Sequence, residues 1–203
     1  MKDKHQEDLE HIRTMMERSS RFISLSGLSG IIAGVVALIA SGLAYYFIQK
    51  SGGDYFGGDI NFSQALLPKL LITCLATLII AIFFGVYFTL QKSKKNKVKI
   101  WNSLSKRLLI SLLVPLFAGG VFCLALFYNN YFNFIAPAML VFYGLALINA
   151  SKYTLSDVGY LGYCELALGL ASLFLAEYAL IFWAVGFGLL HIIYGVMMQK
   201  KYD

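Results

Sequence analysis

Long uncharged stretches alternate with short polar junctions along this chain of 203 residues. From Phe22 to Gln49 no side chain is charged. A second uncharged run, from Leu108 to Ser151, is 44 residues long. A helix needs about 20 apolar residues to cross ~30 Å of hydrocarbon, so the second run is two crossings. Asn129, Asn130 and Asn133 mark the turn between them. The pattern predicts six membrane-spanning helices, near 22–48, 66–90, 108–128, 134–151, 158–176 and 178–198. A closed barrel would also satisfy backbone polar groups in lipid, but its strands alternate polar and apolar residues. These stretches are continuously apolar, so the expected fold is an all-α polytopic helix bundle.

Residues 1–21 form a separate polar segment. Leu9, Ile12 and Met16 recur at helical spacing within it and give a helix with one narrow apolar face. The expected organisation is a cytoplasmic amphipathic helix over 1–21 followed by a six-helix domain over 22–203. Residues 3–21 are the candidate surface for a cytoplasmic partner or a second copy. The first apolar stretch is far longer than the ~7–15 residues of a secretory signal core, so it is expected to stay in the mature protein.

Apolar residues make up 59% of the chain and charged residues only 14%, too few to cover a soluble domain of this size. Of 17 Lys and Arg residues, five fall in 1–21 and seven in 91–107. Lys152, Lys200 and Lys201 join them on the same side of the predicted bundle, and only Lys50 and Lys69 lie on the other. The positive-inside rule then places both termini in the cytoplasm. The excess of +6 follows the membrane topology and does not indicate a nucleic-acid partner. Cys74, Cys123 and Cys164 sit singly in apolar stretches and are expected to be buried apolar fillers.

The predicted spans pair into three hairpins with related small-residue patterns. Outward-going spans carry Gly34/Ala37/Leu38, Gly120/Cys123/Leu124 and Gly169/Ser172/Leu173. Inward-going spans carry Phe84-Gly85-Val86, Tyr143-Gly144-Leu145 and Tyr194-Gly195-Val196. The last hairpin contains Gly162, Glu165 and Gly169, then a tight turn, then Trp183, Gly186, Gly188, His191 and Gly195. Over 158–198 it resembles the HdeD-like family of small bacterial inner-membrane proteins, and the whole chain resembles multi-pass membrane proteins of Bacteroidetes-type bacteria. The resemblance implies Gly-rich hairpins, a place in the bacterial inner membrane and a link to acid resistance, with no catalytic motif to carry over.

Two ionisable groups lie well inside the spans, Glu165 and His191. Intramembrane ionisable groups are costly and mark function or a specific internal contact. Glu165 shares a helical face with Gly162, Gly169 and Ser172, and His191 shares one with Ala184, Gly188 and Gly195. Small residues mark close helix approach, so both groups should face the bundle interior. Counted from a turn near Glu177 their depths differ by only ~3 Å at a rise of 1.5 Å per residue. Tyr143 falls at a similar depth and Asn149 nearer the cytoplasmic end. The candidate group is therefore Glu165, His191, Tyr143 and Asn149, read either as a structural pair or as a proton- or cation-coupled site. Gly27, Gly30, Gly34, Gly162, Gly169, Gly188 and Gly195 are the expected helix-packing positions; Gly30 and Gly34 form a GxxxG that serves contacts within one chain or between copies.

Pro115 and Pro137 are expected near the starts of their spans, where proline is tolerated. Tyr45, Tyr46, Tyr55, Phe56, Tyr128, Tyr131 and Phe132 form an expected outer aromatic belt. The sequence lacks a phosphate-cradling loop, HExxH and GxSxG, and its polar junctions are too short for a catalytic domain. No cofactor and no metal are expected. The expected functional class is a non-enzymatic stress-response or accessory membrane protein. The alternative is a small proton- or cation-coupled permease or channel centred on Glu165 and His191. Glu165→Gln separates the two.

Overall fold

The computed structural model describes residues 26–53, 55, 63–95 and 101–202. The expected amphipathic helix over 1–21, and with it the candidate partner surface at 3–21, lies outside the described residues. So do Phe56 of the expected belt and the middle of the basic 91–107 segment.

The described chain is all-helical. Its elements are α1 (Gly27–Lys50), α2 (Leu66–Lys95), α3 (Ser103–Tyr128), α4 (Ile135–Ala150) and α5 (Ser156–Phe174). A sixth rod follows, made of α6 (Ala179–Trp183), a π-helical stretch (Ala184–Leu190) and α7 (His191–Tyr202). Five of these units are long and apolar enough to cross a membrane, α5 being the exception by composition. With 19 residues, α5 still spans about 28 Å, but Asp157 and Glu165 lower its hydropathy. The apolar helices are compatible with a membrane-embedded protein.

The helices overrun the uncharged stretches at the basic end. With 30 residues α2 is about 45 Å long, roughly 15 Å more than a hydrocarbon core, and its overhang carries Lys92, Lys94 and Lys95. α3 starts at Ser103, five residues before the uncharged run, because Asn102 and Ser105 form a capping box there. Asn102 Oδ1 accepts from Ser105 N at 2.8 Å, and Ser105 Oγ accepts from Asn102 N at 2.9 Å. Between α3 and α4, Asn129 Nδ2 donates back to Ala125 O at 2.8 Å, and Asn130 turns the chain with φ of 62°. That left-handed conformation is one asparagine tolerates.

α1, α4, α5 and the sixth rod make the centre of the bundle, with α2 against α1 on one flank and α3 against α4 on the other. The flanking helices bury almost nothing: Leu66 and Ser93 in α2, Gly119 in α3. The centre is held by backbone-to-backbone approaches that only glycine permits. A Cβ on Gly34 would lie 2.5 Å from Gly188 O, and one on Gly162 would lie 2.9 Å from Gly144 O. Gly27, Gly30 and Gly195 close the same α1–rod contact nearer the basic end, and Gly169 packs on Val141 of α4. The GxxxG of α1 is thus occupied within the chain. The six glycines matched across the three hairpins do not share an environment. Gly34, Gly144, Gly169 and Gly195 are in tight contacts, whereas Gly85 and Gly120 have open space where a Cβ would go.

Three expectations need correction. Pro115 is not at a helix start; the capping box puts it twelve residues into α3. Pro137 does lie in the first turn of α4. Tyr55 is not a belt residue. It is 3% exposed, and its hydroxyl accepts from Leu180 N at 3.0 Å and Ile181 N at 3.4 Å. Those amides sit in the first turn of a helix and have no intrahelical partner, so the tyrosine caps the sixth rod. Cys164 is exposed on α5 rather than buried, while Cys74 and Cys123 are half-buried.

Candidate functional site

Glu165 projects from the middle of α5 between Gly162 and Gly169, two residues whose lack of a side chain lets α4 close over it. It is 0% exposed. His191 opens α7 directly after the π-helical stretch and is 6% exposed. Tyr143 comes from α4. The three side chains meet: His191 Nε2 lies 2.8 Å from the Tyr143 hydroxyl, and His191 Nδ1 lies 3.3 Å from Glu165 Oε1.

The partners orient the imidazole and assign one of its protons. Nδ1 lies 3.0 Å from Gly186 O, and a carbonyl only accepts, so Nδ1 carries the proton. In the neutral ring Nε2 then accepts from the Tyr143 hydroxyl. The Nδ1–H points at the carbonyl, not at the carboxyl. Glu165 Oε1 is therefore close in distance but not hydrogen-bonded, and neither Glu165 oxygen has a hydrogen-bond partner. Gly186 makes room for the carboxyl: a Cβ there would lie 2.5 Å from Glu165 Oε2 and 2.5 Å from Leu140 Cδ2.

Glu165 and His191 thus bring an acidic and a basic side chain from α5 and the sixth rod within 3.3 Å of each other inside the bundle. A third buried polar atom on the same face of α5, Ser172 Oγ, also lacks a hydrogen-bond partner.

Rings extend the site along the rod. Trp183 and Phe187 have centroids 5.3 Å apart, Phe187 and His191 5.9 Å, and Tyr143 packs on Phe187 at 5.0 Å. The four-residue spacing of the ladder is that of one helix face, whereas the π-helical stretch does not follow from a regular 3.6-residue period. The pair Gly186 and Gly188 just before His191 is the one sequence signal for an irregular turn there.

The π-helical stretch also separates the faces of the rod. Gly188 and Gly195 meet Leu38 and Gly27 of α1, while the ring of His191 turns to α4 and α5.

Asn149 lies apart from the other three. Its Nδ2 donates to Ser111 O at 2.9 Å, and its Oδ1 accepts from Lys152 Nζ at 3.3 Å. Ser111 is the residue whose carbonyl would accept from position 115 in a regular helix. Proline has no N–H, so Pro115 leaves that carbonyl without its intrahelical donor. Asn149 of α4 supplies the missing bond. Among the described residues no cluster of His, Cys, Asp and Glu has metal-binding geometry.

No family model matches the chain, and no curated protein or solved structure matches it either.

Proposed function

We propose that this is a six-crossing, non-enzymatic inner-membrane protein of the accessory or stress-response type, with both termini in the cytoplasm. It acts through a partner or a second copy, and Tyr143, His191 and Glu165 are the internal lock that joins α4, α5 and the sixth rod. The observation that carries this reading is the complete burial of Glu165, with Gly186 and Leu140 against it. A transported ion would need a wet route to that carboxyl, whereas a lock needs tight packing. The broad apolar faces of α2 and α3 support action through neighbours in the membrane.

A second reading is a proton- or cation-coupled site at the same place. It is favoured by the two Glu165 oxygens that lack hydrogen-bond partners and by the π-helical turn beside them, an irregularity frequent at functional sites. Glu165→Gln in sealed proteoliposomes tests both. The lock predicts that wild-type and variant dissipate a pH or cation gradient no faster than protein-free vesicles, and that the variant changes only in stability. Gradient dissipation by the wild-type protein that the variant loses while remaining folded would overturn the lock and establish the coupled site.

A further inference from the structure

The half of the bundle away from the basic end holds a lateral groove of about 220 Å³ between α1, α2, α4 and the sixth rod. Its lining is almost wholly apolar. Along α2 it runs from Leu67 to Cys74, along α4 from Ile135 to Met139, with Trp183 at its inner part. Seven residues of helix rise are about 10 Å, so the groove is elongated parallel to the helix axes. Compact ligands occupy pockets of ~300–1,000 Å³. This groove is smaller than that and suits a slim hydrocarbon chain.

A cation lies one helical turn outward of the lining residue Thr73, whose hydroxyl donates to Lys69 O at 2.8 Å. Lys69 Nζ lies 5.8 Å from the centroid of Phe47, which packs on the same small core as the lining residues Leu70 and Leu180. Lys69 is exposed, and among the described residues it has no carboxylate within ion-pair reach. We propose that the groove binds one acyl chain of an anionic phospholipid whose phosphate pairs with Lys69. The inference goes beyond the function proposed above and rests on the chain being embedded in a membrane. The headgroup charge supplies selectivity and the groove supplies the fixed position. The ladder of Trp183, Phe187 and His191 puts the bound chain in contact with the rings that lead to the buried carboxyl.

Trp183 reports on the occupant. In the Trp101→Phe full-length protein it is the sole tryptophan. The protein is reconstituted in vesicles containing a minor share of phosphatidylglycerol or phosphatidylcholine brominated on one acyl chain, and quenching of Trp183 is measured. The expected result is a preference of about fivefold for the brominated phosphatidylglycerol, the fold-change of ~1 kcal/mol for one lysine near an anionic surface. Lys69→Gln, a surface change, removes the preference, and Ala136→Leu, which narrows the groove, weakens quenching by either lipid. Equal quenching by both lipids in proportion to their mole fraction overturns the proposal. Emission that neither lipid quenches and that shifts on diluting the protein in lipid also overturns it, and assigns the groove to a second copy. Protein that fails to float with the vesicles overturns the membrane reading itself.

Discussion

The bond between Asn149 and Ser111 gives the most direct test of how α3 is held. Asn149→Leu keeps the branched shape and the number of side-chain heavy atoms and removes the donor. Ser111 O then has no partner, because Pro115 offers none. An unsatisfied buried carbonyl costs about 1–3 kcal/mol. Side-chain hydrogen bonds between membrane helices average only ~0.6 kcal/mol, with a maximum near 1.7. The Asn149 side chain is half-buried, so the expected loss is about 1 kcal/mol, close to a fivefold change in the unfolding constant. The contact with Lys152 is exposed and adds little. The decisive measurement is the cycle with Pro115→Ala. Alanine restores an N–H four residues after Ser111, so Asn149→Leu should then cost less than about 0.5 kcal/mol. Unfolding in mixed micelles of increasing SDS content, followed by helical circular dichroism, gives all four stabilities. Equal costs of Asn149→Leu in the two backgrounds would show that the asparagine is not serving the carbonyl that proline leaves bare.

Other consequences follow from the packing and the ends. Gly144→Ala places a methyl 2.6 Å from Leu166 N and should lower stability by about 1–3 kcal/mol in the same SDS titration. Gly120→Ala, with open space at that position, should be neutral or slightly stabilising, and equal losses at both sites would refute the asymmetry. Tyr55→Phe removes the acceptor for two amides at the start of the sixth rod and should speed hydrogen exchange at Leu180 and Ile181; unchanged exchange would show that the cap contributes nothing. Partial burial pushes the Asp157 carboxyl up, but the Tyr202 hydroxyl and Lys201 ammonium outweigh it and hold the group below the ordinary aspartate value. The stabilisation is complete above that ordinary value, near pH ~4, and is lost as the pH falls through the depressed one. Asp157→Asn should flatten the acid limb of stability against pH, and an unchanged acid limb would discount the contact.

Much of the architecture was legible because continuously apolar runs of this length are helices, and small residues such as Gly34, Gly144, Gly169 and Gly195 mark close approach, although Gly85 and Gly120 do not. Counting from the turn at Glu177 put Glu165 and His191 at one depth, counting about the loop near Tyr153 put Tyr143 at a similar one, and those side chains do meet. The rest depended on particulars that periodicity does not carry. The position of Pro115 within α3 turned on a capping box between two polar residues, Asn102 and Ser105, outside the apolar run that had set the expected boundary. Asn149 then took a role set by a helix distant in sequence. Tyr55 resembled the other tyrosines around it, and only the unpaired amides of the sixth rod distinguish it. Gly186 was invisible as a neighbour of Glu165 because a regular helix would not have widened there.

The π-helical stretch is where the sixth rod takes up one residue more than an α-helix would hold over the same turn. Each residue of an α-helix advances the chain by about 100°, and each residue of a turn closed by i→i+5 bonds advances it by less. Over the seven residues Ala184–Leu190 that deficit amounts to about one residue. Deleting one residue there, with the segment relaxing to an ordinary helix, would leave the two ends of the rod close to their present orientation, so that the ring of His191 and the backbone of Gly195 could keep their partners. The same deletion inside α4, which has no such turn, would swing everything after it by about 100°.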